Sequence, residues 1–236
     1  MKYLKYISFA FLLLLACSSP KSEKEQINQI IQVQESSIPA NVSQLLVAIA
    51  EQPGNTQVSL FAMEKLDGEW KIRIGPVAAG IGDKGFADPR QKVEGDGKSP
   101  TGMFKLDQLF TYENLVDTKM PFTQSTSEDK WIDDPDSADY NRHVRGETSA
   151  KSYENLKLSS DAYKYCMVIE YNTDPVVKGK GSAIFFHLRE SDTETTSGCV
   201  AVSEKDMLQV LKWLDPDSHP MIVMGDRQTL LNSSVQ

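Results

Sequence analysis

The chain has 236 residues, with 33 acidic against 25 basic residues and a formal net charge of −8. An acidic chain lacks the basic surface that binding to nucleic acid requires, so we expect no nucleic-acid partner. The three histidines do not indicate a zinc site, because no pair of them has metal-ligand spacing. No metal site is therefore expected.

Residues 1–16 have the pattern of an export signal. Lys2 and Lys5 precede an apolar run, Ile7 to Ala16, that is too short to span a bilayer as a helix and is typical of a secretory signal peptide. The sequence Leu14-Leu15-Ala16-Cys17 resembles the lipobox of bacterial lipoproteins. The resemblance implies that the signal is removed and that Cys17 becomes the lipidated first residue and membrane anchor. An ordinary cleaved signal with a cysteine by chance is the alternative.

The segment that follows Cys17 is polar and charged, and it shows no apolar periodicity. It predicts a flexible tether over residues 17–42. Ser18 is not the aspartate that often retains such lipoproteins in the inner membrane. We therefore expect an exported, periplasm-facing lipoprotein, at the outer membrane if the cell has two membranes.

Residues 43–226 have the length of one domain, and residues 227–236 are predicted to be a polar C-terminal tail. Strand patterns dominate the first part of the domain. The segments SQLLVAIA, QVSLFAMEK and KIRIGPVAAGI are separated by the turn sequences EQPGNT and DGEW. Short turns between such runs predict antiparallel hairpins.

The later part of the domain continues this pattern and adds one helix. The segment YKYCMVIEYN alternates with period two, and SAIFFHL and PMIVMG are shorter apolar runs. The segment SEKDMLQVLKWL begins with a capping serine, Ser203, and spaces its apolar residues as a helix does, before DPDSHP ends it. The domain is predicted to be mainly β with one late α-helix.

The candidate chemistry lies in FFHLRESDTETTSGCVAV. A free thiol has a pKa near 8.5, so only about 3% is the nucleophilic thiolate at pH 7, and a neighbouring base must activate it. The polar loop between His187 and Cys199 could bring the two side chains together. Gly198 removes a side chain beside the thiol, and backbone amides there could stabilise an oxyanion. On spacing alone, a catalytic pair and a pair of core residues are equally supported.

The same region, SAIFFHLRESDTETTSGCVAV, resembles the active-site motif of the L,D-transpeptidase catalytic domain family, a histidine and a variable loop followed by Ser/Thr-x-Gly-Cys. The segment KVEGDGKSPTGMFKL is similar to the glycine-rich loop and strand found upstream in that family, and WIDDPDSADYN to an acidic segment of one subgroup. The resemblance implies a β-sandwich-like fold and the formation of 3→3 crosslinks between peptidoglycan stem peptides. It implies no metal or organic cofactor.

The resemblance also assigns roles to residues of this chain. Cys199 is the nucleophile that forms a thioester, and His187 is the base that activates it. Thr196 takes the Ser/Thr position and Gly198 the glycine position. A backbone carbonyl, at Leu188 or nearby, is expected to hold the imidazole ring.

Two positions depart from the family pattern. Ser197 stands where many members have a second histidine, and Ala201 stands where many have arginine or asparagine. The expected function is an L,D-transpeptidase of cell-wall biogenesis and cell shape, acting on stem peptides. Because the acceptor is in doubt, an L,D-carboxypeptidase, a peptidoglycan amidase and a non-catalytic wall-binding lipoprotein stay open as alternatives.

Arg189, two residues past His187, is a candidate for binding a substrate carboxylate. The alternative is a salt bridge with an acid of the same loop, at position 190, 192 or 194.

Cys166 is expected to be a packed core thiol, although a disulfide with Cys199 is conceivable in an oxidising compartment. The acidic residues at 133–139 predict a solvated loop beside the substrate cleft. A calcium loop is disfavoured, because the glycine and the bidentate glutamate that it needs are missing.

Overall fold

A computed structural model of the protein describes residues 23–232. The predicted signal peptide, Cys17 and the last four residues lie outside the described residues. Within them are three α-helices, α1 (Glu23–Gln34), α2 (Glu204–Trp213) and α3 (Arg227–Asn232), and a 3-10 turn at Pro216–Ser218. The strands are β1 (Gln44–Ala50), β2 (Gln57–Leu66), β3 (Glu69–Gly80), β4 (Gly102–Thr111), β5 (Phe122–Gln124), β6 (Asp129–Ile132), β7 (His143–Arg145), β8 (Tyr153–Asn155), β9 (Tyr165–Ile169), β10 (Phe185–Leu188), β11 (Val200–Val202) and β12 (Met221–Asp226).

Most of these strands close into a ring of hydrogen-bonded neighbours. The order is β12-β1-β2-β3-β11-β10-β9-β4, and β12 pairs with both β1 and β4. β5 adds to the outside of β4, and β6 to β8 form a separate small sheet in the order β7-β6-β8. The predicted mainly β fold and the predicted β2–β3 hairpin, which turns at Asp67 and Gly68, are confirmed.

The interior of the ring is filled by alternate residues of its strands and by one face of α2. On β1 these are Leu46 and Ala48, and α2 contributes Met207, Val210 and Leu211, all of them buried. The predicted helix is thus confirmed as the element that packs against this interior core. Its predicted cap is also present, because the Ser203 side chain accepts a hydrogen bond from the backbone of residue 206.

Two further helices cover the outer face of β1, β2 and β12. Helix α1 buries Ile27, Ile30 and Ile31 on one side, and α3 buries Leu230 against the same cluster. The prediction of a flexible tether is therefore wrong for residues 23–34, and the polar tail is wrong for 227–232. The sequences of these short helices contain few apolar residues. Each helix buries only a narrow apolar face against the sheet, so few apolar residues are enough.

The small sheet β6–β8, here called the cap sheet, covers the outer face of β9 and β10. Trp131 and Tyr163 pack edge-to-face on Phe185 of β10, with ring centroids 5.4 and 5.7 Å apart. Cys166 and Cys199 are buried in this same cluster. The thiol of Cys199 therefore lies between the ring and the cap sheet. None of the helices in the described range is long and apolar enough to cross a membrane.

Candidate active site

His187 and Cys199 come together because β10 and β11 are parallel neighbours. The register pairs Phe186 with Val200 and His187 with Ala201. Side chains alternate between the two faces of a strand, so His187 faces the cap sheet, the side on which Cys199 packs. Both side chains line one cavity of about 390 Å³. The structure thus places the predicted pair in a single site.

The thiol of Cys199 is buried, with the residue 7% exposed. Its Sγ accepts a hydrogen bond from the Phe185 amide at 3.3 Å and donates one to the Ala183 carbonyl, also at 3.3 Å. Burial raises the pKa of Cys199 to about 12, although the Phe185 amide opposes this rise by stabilising the thiolate. The Cys199 thiol is therefore neutral at neutral pH. Cys166 is also a free thiol, so the conceivable disulfide between them is not formed.

The two nitrogens of the His187 imidazole differ: Nδ1 is hydrogen-bonded to the backbone, and Nε2 is available to accept a proton. Its Nδ1 lies 2.7 Å from the carbonyl oxygen of Leu188, the contact expected from the sequence. A carbonyl can only accept, so Nδ1 carries the proton and Nε2 keeps its lone pair. Burial lowers the pKa of His187, which keeps the ring neutral and able to act as a base. The ring of Tyr163 packs on it edge-to-face at 5.1 Å.

The Ser/Thr-x-Gly-Cys segment is held by its own hydrogen bonds. The Thr196 hydroxyl donates to the Cys199 carbonyl at 2.7 Å and accepts from the Gly198 amide at 3.0 Å. Gly198 has φ +152°, and a Cβ there would lie 3.0 Å from the carbonyl oxygen of Lys98, so any side chain would be strained and crowded. Because the Gly198 amide is already bonded, the expectation that it faces an oxyanion is wrong. The amide of Cys199 itself is left as the candidate donor. Ser197 is exposed at the edge of the cavity.

Ser99 is a site residue that the sequence did not identify. It is fully buried, and its hydroxyl donates to the Gly198 carbonyl at 2.7 Å and accepts from the Gly82 amide at 3.0 Å. Its segment, GDGKSPTG, is recognisable as a glycine-rich loop, but no local pattern shows that the loop supports the backbone at Gly198, about 100 residues later in the chain. The loop acts as a brace behind Cys199.

Replacement of Ser99 by alanine is expected to destabilise the fold by about 1–3 kcal/mol, because it leaves two buried backbone groups without partners, and to slow any reaction at Cys199 about tenfold. Urea denaturation and steady-state kinetics would measure both effects. Ser191→Ala, which changes an exposed serine, is the matched control. Equal kinetics for the two variants would contradict the bracing role.

Arg189 does not line the cavity, and the expectation that it binds a substrate carboxylate is wrong, because its guanidinium bonds to other parts of the protein. Its guanidinium is buried and donates to the Gln57 side chain at 3.1 Å and to the Asp192 carboxylate at 3.0 Å. The salt-bridge alternative is therefore the one present. These contacts hold the loop before Cys199 against β2. The guanidinium of Arg189 therefore has a structural role.

The cap sheet and the segments beside it give the cavity an acidic wall. Asp133, Glu154 and Tyr163 line it from this side, and Lys92 and Glu94 line it from the glycine-rich loop. The acidic segment thus reaches the cavity through Asp133, as predicted, but it is not solvated throughout, because Asp134 is buried and accepts hydrogen bonds from the amides of residues 136 and 151. No group of three or more His, Cys, Asp or Glu side chains within residues 23–232 is arranged to hold a metal ion.

Comparison with known proteins gives one family match. The model of the YkuD family, described as the L,D-transpeptidase catalytic domain, matches residues 45–223. Among solved structures, the chain is similar to the helical cell shape determining protein Pgp2 from Campylobacter jejuni, with 14% identity and a TM-score of 0.41. That alignment covers 87% of this chain and 59% of the other. No curated protein matches.

Proposed function

The chain belongs to the L,D-transpeptidase catalytic domain family, which acts on peptidoglycan, and from this premise we propose that it is a cysteine-dependent acyl transferase that forms 3→3 crosslinks between stem peptides. The observation that carries the proposal is that Cys199 and His187 line one cavity, with Nδ1 of His187 held by the Leu188 carbonyl. The raised pKa of the Cys199 thiol and the lowered pKa of His187 agree with general-base activation, which requires a protonated thiol and an unprotonated Nε2.

In the acylation step, a stem tetrapeptide is the acyl donor. Rotation of the thiol turns its proton from the Ala183 carbonyl towards His187, whose Nε2 accepts it as the sulfur attacks the carbonyl carbon of the third stem residue. The Phe185 amide stabilises the developing thiolate, and the Cys199 amide faces the tetrahedral oxyanion. The C–N bond then breaks, and the imidazolium protonates the leaving D-alanine. A thioester on Cys199 is left.

In the second step, an amine from a neighbouring stem attacks the thioester carbonyl. A C–N bond forms and the C–S bond breaks, while His187 moves one proton from the amine to the sulfur. The original thiol is regenerated and the two stems are joined. If water takes the place of the amine, the same chemistry releases a trimmed monomer, as in an L,D-carboxypeptidase.

Mass spectrometry of products tests this proposal directly. The protein from residue 21 onward would be incubated with disaccharide tetrapeptides, and a dimer lighter by one D-alanine is expected, together with a thioester adduct on the enzyme. Trimmed monomer without dimer would contradict crosslinking and identify a hydrolase. The absence of both an adduct and any product would favour the wall-binding alternative.

A further inference from the structure

The cavity around Cys199 has an excess of negative charge. Four carboxylates line it, from Glu94, Asp133, Glu154 and Glu194, against one ammonium, from Lys92. That ammonium is already neutralised, because its Nζ lies 2.7 Å from an oxygen of Asp96 outside the cavity. The cavity that holds the nucleophile is therefore suited to a cationic group.

Two of these carboxylates, on the cap-sheet side, have no cationic partner. Within residues 23–232, neither Asp133 nor Glu154 forms an ion pair. The Oδ1 atom of Asp133 is buried and has no hydrogen-bond donor. Glu154 has only the Tyr163 hydroxyl as a donor, at the long distance of 3.5 Å. A buried carboxylate oxygen without a donor is costly, and a bound cation would supply the partner that Oδ1 of Asp133 lacks.

The environment of Glu154 fits a group that can also take a proton. Burial raises its pKa, and the neighbouring charge of Asp133 adds to the rise. The other carboxylates are held differently: Glu94 accepts hydrogen bonds from Tyr140 and Ser182, and Glu194 from the amide of residue 190. Glu154 and Asp133 are thus the pair left open towards a ligand.

We propose that Glu154, assisted by Asp133, binds the acceptor amine in its ammonium form and makes the enzyme selective for cationic acceptors over water. The inference rests on the proposed function, since it concerns the second step of that reaction. An ammonium bound by two carboxylates near the thioester would raise the local concentration of the acceptor and orient it.

The proton balance of this step is simple. The bound R–NH₃⁺ gives one proton to the Glu154 carboxylate, and the freed lone pair forms the C–N bond to the thioester carbonyl as the C–S bond breaks. His187 transfers the second proton from nitrogen to the departing sulfur. Glu154 returns its proton to solvent after the product leaves.

The test compares how the thioester is resolved in wild type and in Glu154→Gln. Disaccharide tetrapeptide serves as donor and as cationic acceptor, and hydroxylamine, which is neutral near pH 7.5, serves as a neutral acceptor. We expect the ratio of dimer to hydrolysed monomer to fall about tenfold in E154Q, while the ratio of hydroxamate to hydrolysed monomer is unchanged. Glu147→Gln, which removes an exposed charge near the cap sheet, is the matched control and should behave as wild type.

The outcomes separate this inference from the proposed function. If wild type forms no thioester adduct, the proposed function fails. If the adduct forms and E154Q keeps the wild-type ratio of dimer to monomer, only the role of Glu154 is overturned. An equal loss of dimer and hydroxamate would likewise overturn it, since a general defect of the site would then explain the change. Asp133→Asn is a second variant, and a smaller fall in the dimer ratio alone is expected for it.

Discussion

Cys199→Ala is expected to abolish both the thioester adduct and all products, with a loss of at least about 10⁴-fold in kcat/KM, because no other nucleophile of comparable strength lines the cavity within the described residues. Intact-protein mass spectrometry during turnover would show the adduct on wild type and none on the variant. The fold should survive, since the change removes one sulfur atom at the edge of a cavity.

The matched control is Cys166→Ala. Cys166 is fully buried in the same cluster, but it belongs to β9 and does not line the cavity. We expect this variant to keep the adduct and most of the activity while losing some stability to the small void. Retained acyl transfer in Cys199→Ala, or its loss in Cys166→Ala alone, would contradict the assignment of the nucleophile.

His187→Asn is expected to slow acylation about 10³-fold, the usual contribution of a general base. Asparagine is a close replacement in size, but its amide has no basic nitrogen. Single-turnover release of D-alanine would measure the acylation step separately from resolution of the thioester.

The wild-type pH profile follows from the directions of the two pKa shifts. Burial lowers the pKa of His187 below its ordinary value of 6.5 and raises that of Cys199 to about 12. The base is active when unprotonated, so acylation should be lost only as the pH falls through this lowered pKa, and it should be level from neutral pH to about pH 9. Alkylation of Cys199 by iodoacetamide should be slow at neutral pH. Fast alkylation that persists at pH 5 would instead indicate a thiolate–imidazolium pair and contradict the general-base mechanism.

Much of the ring could be predicted because its strands carry a local pattern. In β9, Met167 and Ile169 face the interior while Cys166 and Val168 face the cap sheet, which is the alternation that the sequence shows. Helix α2 was similarly visible from its cap and its spacing. Helix α1 could not be predicted from the sequence, because its three isoleucines are scattered among polar residues. They form a buried face only when they pack on the outer face of β1.

The sequence by itself indicated the candidate chemistry, because its histidine, polar loop and Thr-x-Gly-Cys segment together resemble the motif of the family, whereas their spacing alone left a pair of core residues equally supported. Only the tertiary structure decided what surrounds that chemistry. The Ser99 hydroxyl holds the backbone beside Cys199 from 100 residues away, Arg189 forms a salt bridge with Asp192, and the cap sheet contributes Glu154 to the cavity that Cys199 also lines. Periodicity and motifs can be found in the sequence because they depend on residues that are neighbours along the chain. The burial of a side chain, its pKa and the charges around it depend on residues that come into contact only in the folded ring of strands.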